Sequence, residues 1–195
     1  MQKLLMALVL LGLAGVPVFG GQIFVDHFDY TSGLQQTSFG DWIVTSGGVD
    51  VLGAGSGDAW LCQAAGCIDT DGTSWTGQPT AATFKKEFAA LAAGTYVISF
   101  RLGGSRRGDS NTIQVSFGGV THSYTLGASD AHGVRSFIVN WAGGNTSLQF
   151  SHKSSSDNKG LILDDVSVAT GEIPEPGTWT MIAAGAALLL LRRRR

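Results

Sequence analysis

Tyr96-Val97-Ile98-Ser99-Phe100-Arg101-Leu102 decides the fold class. In an extended chain successive side chains point to opposite faces, so Tyr96, Ile98, Phe100 and Leu102 share one face. A helix would scatter the same four around its circumference. The stretch therefore predicts a strand with one buried side. Toward the C-terminus, Ile113 to Phe117 repeats the alternation and stops at Gly118-Gly119, a hairpin signal before Thr121 to Leu126. Phe137 to Trp141, Leu148 to Phe150 and Leu161 to Val168 continue the series, the first two separated by Gly143-Gly144-Asn145. Toward the N-terminus, Thr80 to Phe88 reads as a strand entering the Gly94-Thr95 turn, although Phe84, Phe88 and Leu91 also fit a helical spacing. Further strands are expected near Ile23–Phe28, Trp42–Thr45 and Val49–Leu52, in a loop-rich, glycine-rich half. Short strands broken by Gly, Ser and Asn, with no fixed repeat, predict an all-β antiparallel β-sandwich or jelly roll.

Both ends read as targeting segments. Met1-Gln2-Lys3 is a positive start, Leu4 to Leu13 is apolar, and Val18-Phe19-Gly20 offers small residues for cleavage. Residues 1–20 are thus expected to be a signal peptide cut after Gly20. A retained first membrane helix is the alternative, with an apolar core short for spanning. At the other end Pro174-Glu175-Pro176 is extended, since proline fixes φ and lacks an N–H. Gly177 to Leu191 is uncharged and would be a single helix in lipid, about 22 Å long at a rise of about 1.5 Å per residue. Arg192 to Arg195 would hold that end in the cytoplasm, and Trp179 suits the opposite interface. The expected organisation is a signal peptide (1–20), a β-sandwich domain (21–170), a linker with the Pro-Glu-Pro motif (171–176), and a sorting helix with its arginine tail (177–195).

The order of motif, apolar run and basic end from Ile173 to Arg195 resembles the PEP-CTERM sorting signal of Gram-negative bacteria. The resemblance implies that an exosortase, a membrane enzyme, recognises Pro174, Glu175 and Pro176 and removes the tail. It also implies a transient stay in the inner membrane, then release to the envelope surface or extracellular matrix. A tail anchor that stays attached is the alternative.

The chain has 13 basic and 15 acidic residues, a formal net charge of −2. Lys3 and the four terminal arginines leave with the targeting segments, so eight basic groups face fifteen acidic ones, about −7. Twelve of those acids are Asp, which favours turns and hard-cation sites over helix faces. An acidic surface argues against nucleic acid as a partner. Cys62 and Cys67 are separated by four residues, and in an oxidising compartment they are expected to close a small disulfide loop. No His or further Cys lies close enough in sequence to complete a zinc set.

Alternation makes Ile162-Leu163-Asp164-Asp165-Val166-Ser167-Val168 the most informative polar stretch. Asp164 shares a face with Ile162, Val166 and Val168, and Asp165 shares one with Leu161 and Leu163, so one carboxylate is expected to point inward. It must then be neutralised, hydrogen-bonded or bound to a cation. This ending, with Gly94 to Phe100, resembles galactose-binding-like jelly rolls, a fold shared by many exported carbohydrate-binding modules. The resemblance implies a structural calcium held between Asp29, beside the first strand, and Asp164, with Asp26 and Asp165 in reserve. Where that family commonly has Glu, this chain has Asp29. A turn cap at Asp29 and backbone hydrogen bonds at Asp164 are the alternative without metal. Asp69-Thr70-Asp71-Gly72 reads as an Asx turn, because the rest of a calcium loop is absent.

Trp60 and Trp75 flank the cysteine loop and are candidates for stacking on a sugar ring, with loop packing as the alternative. Arg101, Arg106 and Arg107 could pair with an acidic polysaccharide, Arg106 being the chosen ligand candidate, or could serve Asp109 as ion-pair partners. Nucleophile elbows, His-Glu-x-x-His helices and phosphate loops are missing from the sequence. The expectation is a non-enzymatic matrix protein associated with exopolysaccharide or biofilm, possessing a glycan-binding capacity. An exported polysaccharide hydrolase without a recognisable motif is the alternative.

Overall fold

The computed structural model describes residues 20–53, 55–73 and 80–171. Residues 1–19 of the expected signal peptide, Trp75, the Pro-Glu-Pro motif and the apolar C-terminal run lie outside the described residues. Among the described residues no helix is long and apolar enough to cross a membrane.

In chain order the strands are β1 (Gln22–Asp26), β2 (Gly33–Gln36), β3 (Ser38–Phe39), β4 (Trp42–Ser46), β5 (Val49–Leu52), β6 (Cys67–Asp69), β7 (Asp71–Gly72), β8 (Thr80–Ala81), β9 (Thr83–Leu91), β10 (Gly94–Gly103), β11 (Ser110–Phe117), β12 (Val120–Gly127), β13 (Gly133–Trp141), β14 (Gly144–His152) and β15 (Ile162–Thr170). A seven-stranded sheet runs β13-β10-β15-β6-β5-β2, with β1 also paired to β15. A six-stranded sheet runs β12-β11-β14-β9-β4-β3, and β7 and β8 form a small ribbon. Every pairing is antiparallel. The result is the expected all-β sandwich.

Tyr96, Ile98, Phe100 and Leu102 are all buried between the sheets. Ile113, Val115 and Phe117 of β11 and Leu148 and Phe150 of β14 belong to the same core. The ambiguous stretch is a strand: β9 pairs with β14, Phe84 opposite Phe150, and those two rings stack 5.4 Å apart. Non-local pairing overrides its helical spacing. The sequence did not predict β2, β3, β6 or β7, nor the break at Ala82 that parts β8 from β9 within the expected Thr80–Phe88 strand. Each of these short strands has two to four residues and draws its stability from neighbours rather than from its own pattern.

The last strand corrects the alternation argument. Its pairing with β10 slips between Ser99↔Ser167 and Arg101↔Asp164, and Asp165 sits there at a φ of 50°. This β-bulge inserts a residue and reverses the faces. Leu161 and Leu163 before it, and Val166 and Val168 after it, therefore all enter the core. Neither carboxylate does. Asp164 is buried on the other side of the sheet, the side of Ile162.

That outer side is covered locally by residues 53–66. Leu61 of the short 3-10 turn Ala59–Leu61 packs with Leu52, Cys67 and Ile162 into a second, small apolar cluster. The Cys62–Cys67 disulfide is formed and ties this covering loop. Closing so short a loop contributes about 2 kcal/mol by the chain-entropy argument. Connections at one end of the sandwich are tight: residues 92–93, 118–119 and 142–143. The longer ones, 104–109, 128–132 and 153–161, gather at the other end; the connection from Leu52 to Cys67 leaves its strands facing away from that end and folds back until Leu61 reaches His132. Side chains free of ladder constraints therefore concentrate there.

Candidate functional site: the loop end of the sandwich

Arg101 leaves β10 on the outer face and joins three segments. Its Nε donates to Asp165 Oδ2 at 3.0 Å and its Nη1 to Gln63 Oε1 of the disulfide loop at 2.8 Å. His27 Nδ1, just past β1, donates to Asp165 Oδ1 at 2.8 Å. The hydrogen bond to Asp165 raises the proton affinity of His27, and His27 with Arg101 holds Asp165 below the usual carboxylate range.

Asp164 stands apart from that ion-pair chain. Its Oδ1 accepts the Asp165 backbone N–H at 2.8 Å, while the buried Oδ2 has no hydrogen-bond partner among the described residues. Burial, then the negative charge of Asp165, push its pKa up to about 6; Asp29 adds to the rise and Arg101 opposes it. Asp29 is exposed and near enough to interact. The two expected reserve ligands are committed elsewhere. Asp26 accepts from Phe28 N at 2.8 Å, Tyr30 Oη at 2.6 Å and Trp42 Nε1 at 2.7 Å, and Asp165 is held as above. Among the described residues no three His, Cys, Asp or Glu side chains gather into a group that could hold a metal ion.

The arginine cluster divides. Arg107 turns inward and bonds Asp69 Oδ2 at 2.5 Å. Burial nonetheless lifts the Asp69 pKa to about 7 against the pull of that guanidinium. Asp71 N donates to Asp69 Oδ1 at 3.1 Å, the expected Asx turn, but both carboxylates are buried rather than exposed. Asp71 Oδ2 in turn accepts the backbone N–H groups of Asp157 and Asn158, each at 2.7 Å, which clamps the 153–161 connection. Asp109 pairs with Ser105 Oγ and Asn111 Nδ2, not with an arginine. Sequence reasoning missed the buried roles of Asp26, Asp69 and Asp71, and of Asp50, which accepts from Gln35 N and Thr73 N. The available signal was the excess of Asp over Glu, because a short carboxylate closes readily onto nearby backbone.

Arg106 is exposed at a φ of 55°, and among the described residues no carboxylate holds it. It lies close to His132, whose proton affinity falls through burial and then through Arg106 and Arg101. The His132 ring rests on Gly103, where a Cβ would come within 2.4 Å of it. Leu61 presents its backbone to the same ring. Trp60, the residue before Leu61, is 54% exposed, the most exposed aromatic among the described residues. The structure thus assembles Arg106 and the turn carrying Trp60 around His132; Trp75 lies outside the described residues.

No family model matches the chain, and no curated protein does. Solved structures of similar outline include the enzymatically active domain of tailspike protein 4 from bacteriophage CBA120, at TM-score 0.46 and 10% identity over 70% of this chain and 20% of that one. Another is a family 35 carbohydrate-binding module from Clostridium thermocellum, at TM-score 0.40 and 12% identity over 73% and 100% of the two chains. The CBM35 module of Cellvibrio japonicus Abf62 follows at TM-score 0.41 and 16% identity, over 80% and 91%. The chain spans about a fifth of the tailspike structure. At these values the functional argument rests on the chain's own residues.

Proposed function

We propose that the exported domain is a glycan-binding component of an exopolysaccharide matrix. The observation that carries the reading is Trp60, 54% exposed on a disulfide-tied loop at the end where the long connections gather. The exposed indole offers its apolar face to a pyranose ring, and Arg106, unpaired among the described residues, supplies charge-assisted donors to a sugar carboxylate. The favoured substrate class is an acidic polysaccharide. In affinity electrophoresis through polygalacturonate, Trp60→Ala should weaken retardation at least tenfold. Arg106→Ala should weaken it there but not through a neutral galactan. Unchanged retardation of Trp60→Ala would remove the reading.

A structural calcium belongs to the same proposal. Asp164 Oδ2, buried without a donor, and the nearby Asp29 fit two ligand positions, and backbone oxygens would have to supply the rest. The ion would supply the positive charge that this carboxylate pair lacks. Running the electrophoresis in calcium and in chelator separates a calcium-dependent fold from a calcium-independent one.

Sorting is proposed from Pro174-Glu175-Pro176 and the run that follows: an exosortase removes the tail after a stay in the inner membrane. Mass spectrometry of the extracellular form should find no peptide from Met181 onward. Intact peptides covering Leu188 to Arg195 in that form would contradict it.

A hydrolase needs a carboxyl pair with separated proton affinities, and Asp164 and Asp165 are such a pair. Asp164, however, is closed off from solvent and cannot reach a glycosidic oxygen. His27 and Asp165 form a dyad, but among the described residues no serine or threonine hydroxyl bonds His27. Binding is the better-supported class.

A further inference from the structure

The sheets end in edge strands of unequal protection. β3 has two residues; β1 and β2 have five and four, each with a register shift against its partner. β12 is longer, but its exposed side chains are the polar Thr121, His122, Ser123 and Thr125, with Val120 at the turn. β13 is different. Its nine residues pair with β10 without a shift, from Gly94↔Trp141 to Leu102↔Gly133, and among the described residues no strand lies on its other side. It contains no proline, lysine or acid, and its one charged residue, Arg135, shares the face of Phe137 and Val139 rather than that of Val134 and Ile138. Its outward-facing Val134 and Ile138 are 60% and 65% exposed, more than any other large apolar side chain among the described residues.

Charge favours the same edge. Residues 94–152, which build β10 to β14, hold two of the fifteen acids, Asp109 and Asp130, beside four arginines. β13 and β12 are the outermost strands of this half in the two sheets, and the acid-rich strands lie toward the opposite flank. Two copies of an acidic chain therefore meet with least repulsion through β13.

We propose that β13 is a self-association edge, on which two copies pair antiparallel across a two-fold axis at Ser136 and join their seven-stranded sheets into one. This register sets Ser136 against Ser136 of the partner subunit, and Val134 against Ile138 of the partner subunit, twice by symmetry. Both exposed β-branched side chains then gain an apolar cross-strand neighbour. A centre at Phe137 would face Ile138 with serine instead. Arg135 lies opposite Phe137 of the partner subunit, so the two guanidinium groups do not meet head-on. The Val134 end of the edge lies two residues from His132, but glycan retardation and cysteine linking are read separately, so the two proposals fail independently.

A single cysteine tests it, because both native cysteines are bridged and no other is present. Directly opposed residues hold their Cβ atoms about 4.5–5.5 Å apart, within reach of a disulfide after small adjustment. Ser136→Cys in the full chain, solubilised in detergent, should give a linked dimer on a non-reducing gel, at least fivefold above Thr125→Cys on β12. Adding Ile138→Lys to Ser136→Cys should reduce the linked form to the Thr125→Cys level. Equal linking at the two positions, or linking that survives Ile138→Lys, would overturn the edge.

Discussion

Asp26→Ala should lower the unfolding free energy by about 3–5 kcal/mol, because three donors lose their acceptor at once and two of those bonds are buried. For a domain of this size that is a fall in Tm of roughly 10 °C. Trp42 is 1% exposed and stacks on Phe39, so its Nε1–H has no route to water when Asp26 is gone. The same carboxylate fixes Phe28, which holds a φ of 55° where the chain turns out of β1. Asp26→Asn keeps the shape and part of the acceptor capacity and should cost about half as much. The exposed Asp58→Asn should stay within about 0.5 kcal/mol of wild type. Urea unfolding of the three variants checks the order, and an Asp26→Ala protein as stable as Asp58→Asn would show that the network contributes nothing.

Arg107→Met should destabilise by about 3–5 kcal/mol at pH 8, since it strands a buried carboxylate at Asp69. The penalty should shrink by at least half at pH 5, where Asp69 takes up a proton and no longer needs the cation. The wild type has a pH dependence of the same sign. Asp69 and Asp164 are lifted from 3.8 to about 7 and about 6, so the folded state binds protons that the unfolded state releases. Their contribution is fully present below about pH 4 and is lost as pH rises through 6 and then 7. Each is on the order of 3 kcal/mol. Asp109 and Asp165, held low, act oppositely and lose their contribution as acid approaches the ordinary carboxylate range. Stability should therefore peak near pH 4 to 5. A Tm that is flat from pH 5 to 8, in wild type and Arg107→Met alike, would show that Asp69 carries no buried charge.

Trp60 and Arg106 were visible as an aromatic and an arginine in glycine-rich loops. Their shared neighbour His132 was not, because the contact joins three connections remote in sequence. Arg107 looked like its neighbour Arg106, yet it is spent on Asp69, 38 residues away. The Asp69–Asp71 turn was legible, but not that the 153–161 connection would close over Asp71 and bury it.

The sequence by itself determined the fold class, the long strands β9 to β15 and the disulfide, because alternation and cysteine spacing are local properties. It also singled out the paired carboxylates of the last strand, Asp164 and Asp165. Only the tertiary structure decided which way those two point. A strand read in isolation has a strict period of two, and a bulge breaks that period only when a neighbour, here β10, holds both of its sides in register. The same holds for the short strands and for Asp26. Their pairing and hydrogen bonds come from chain segments that meet only when the two sheets close on each other.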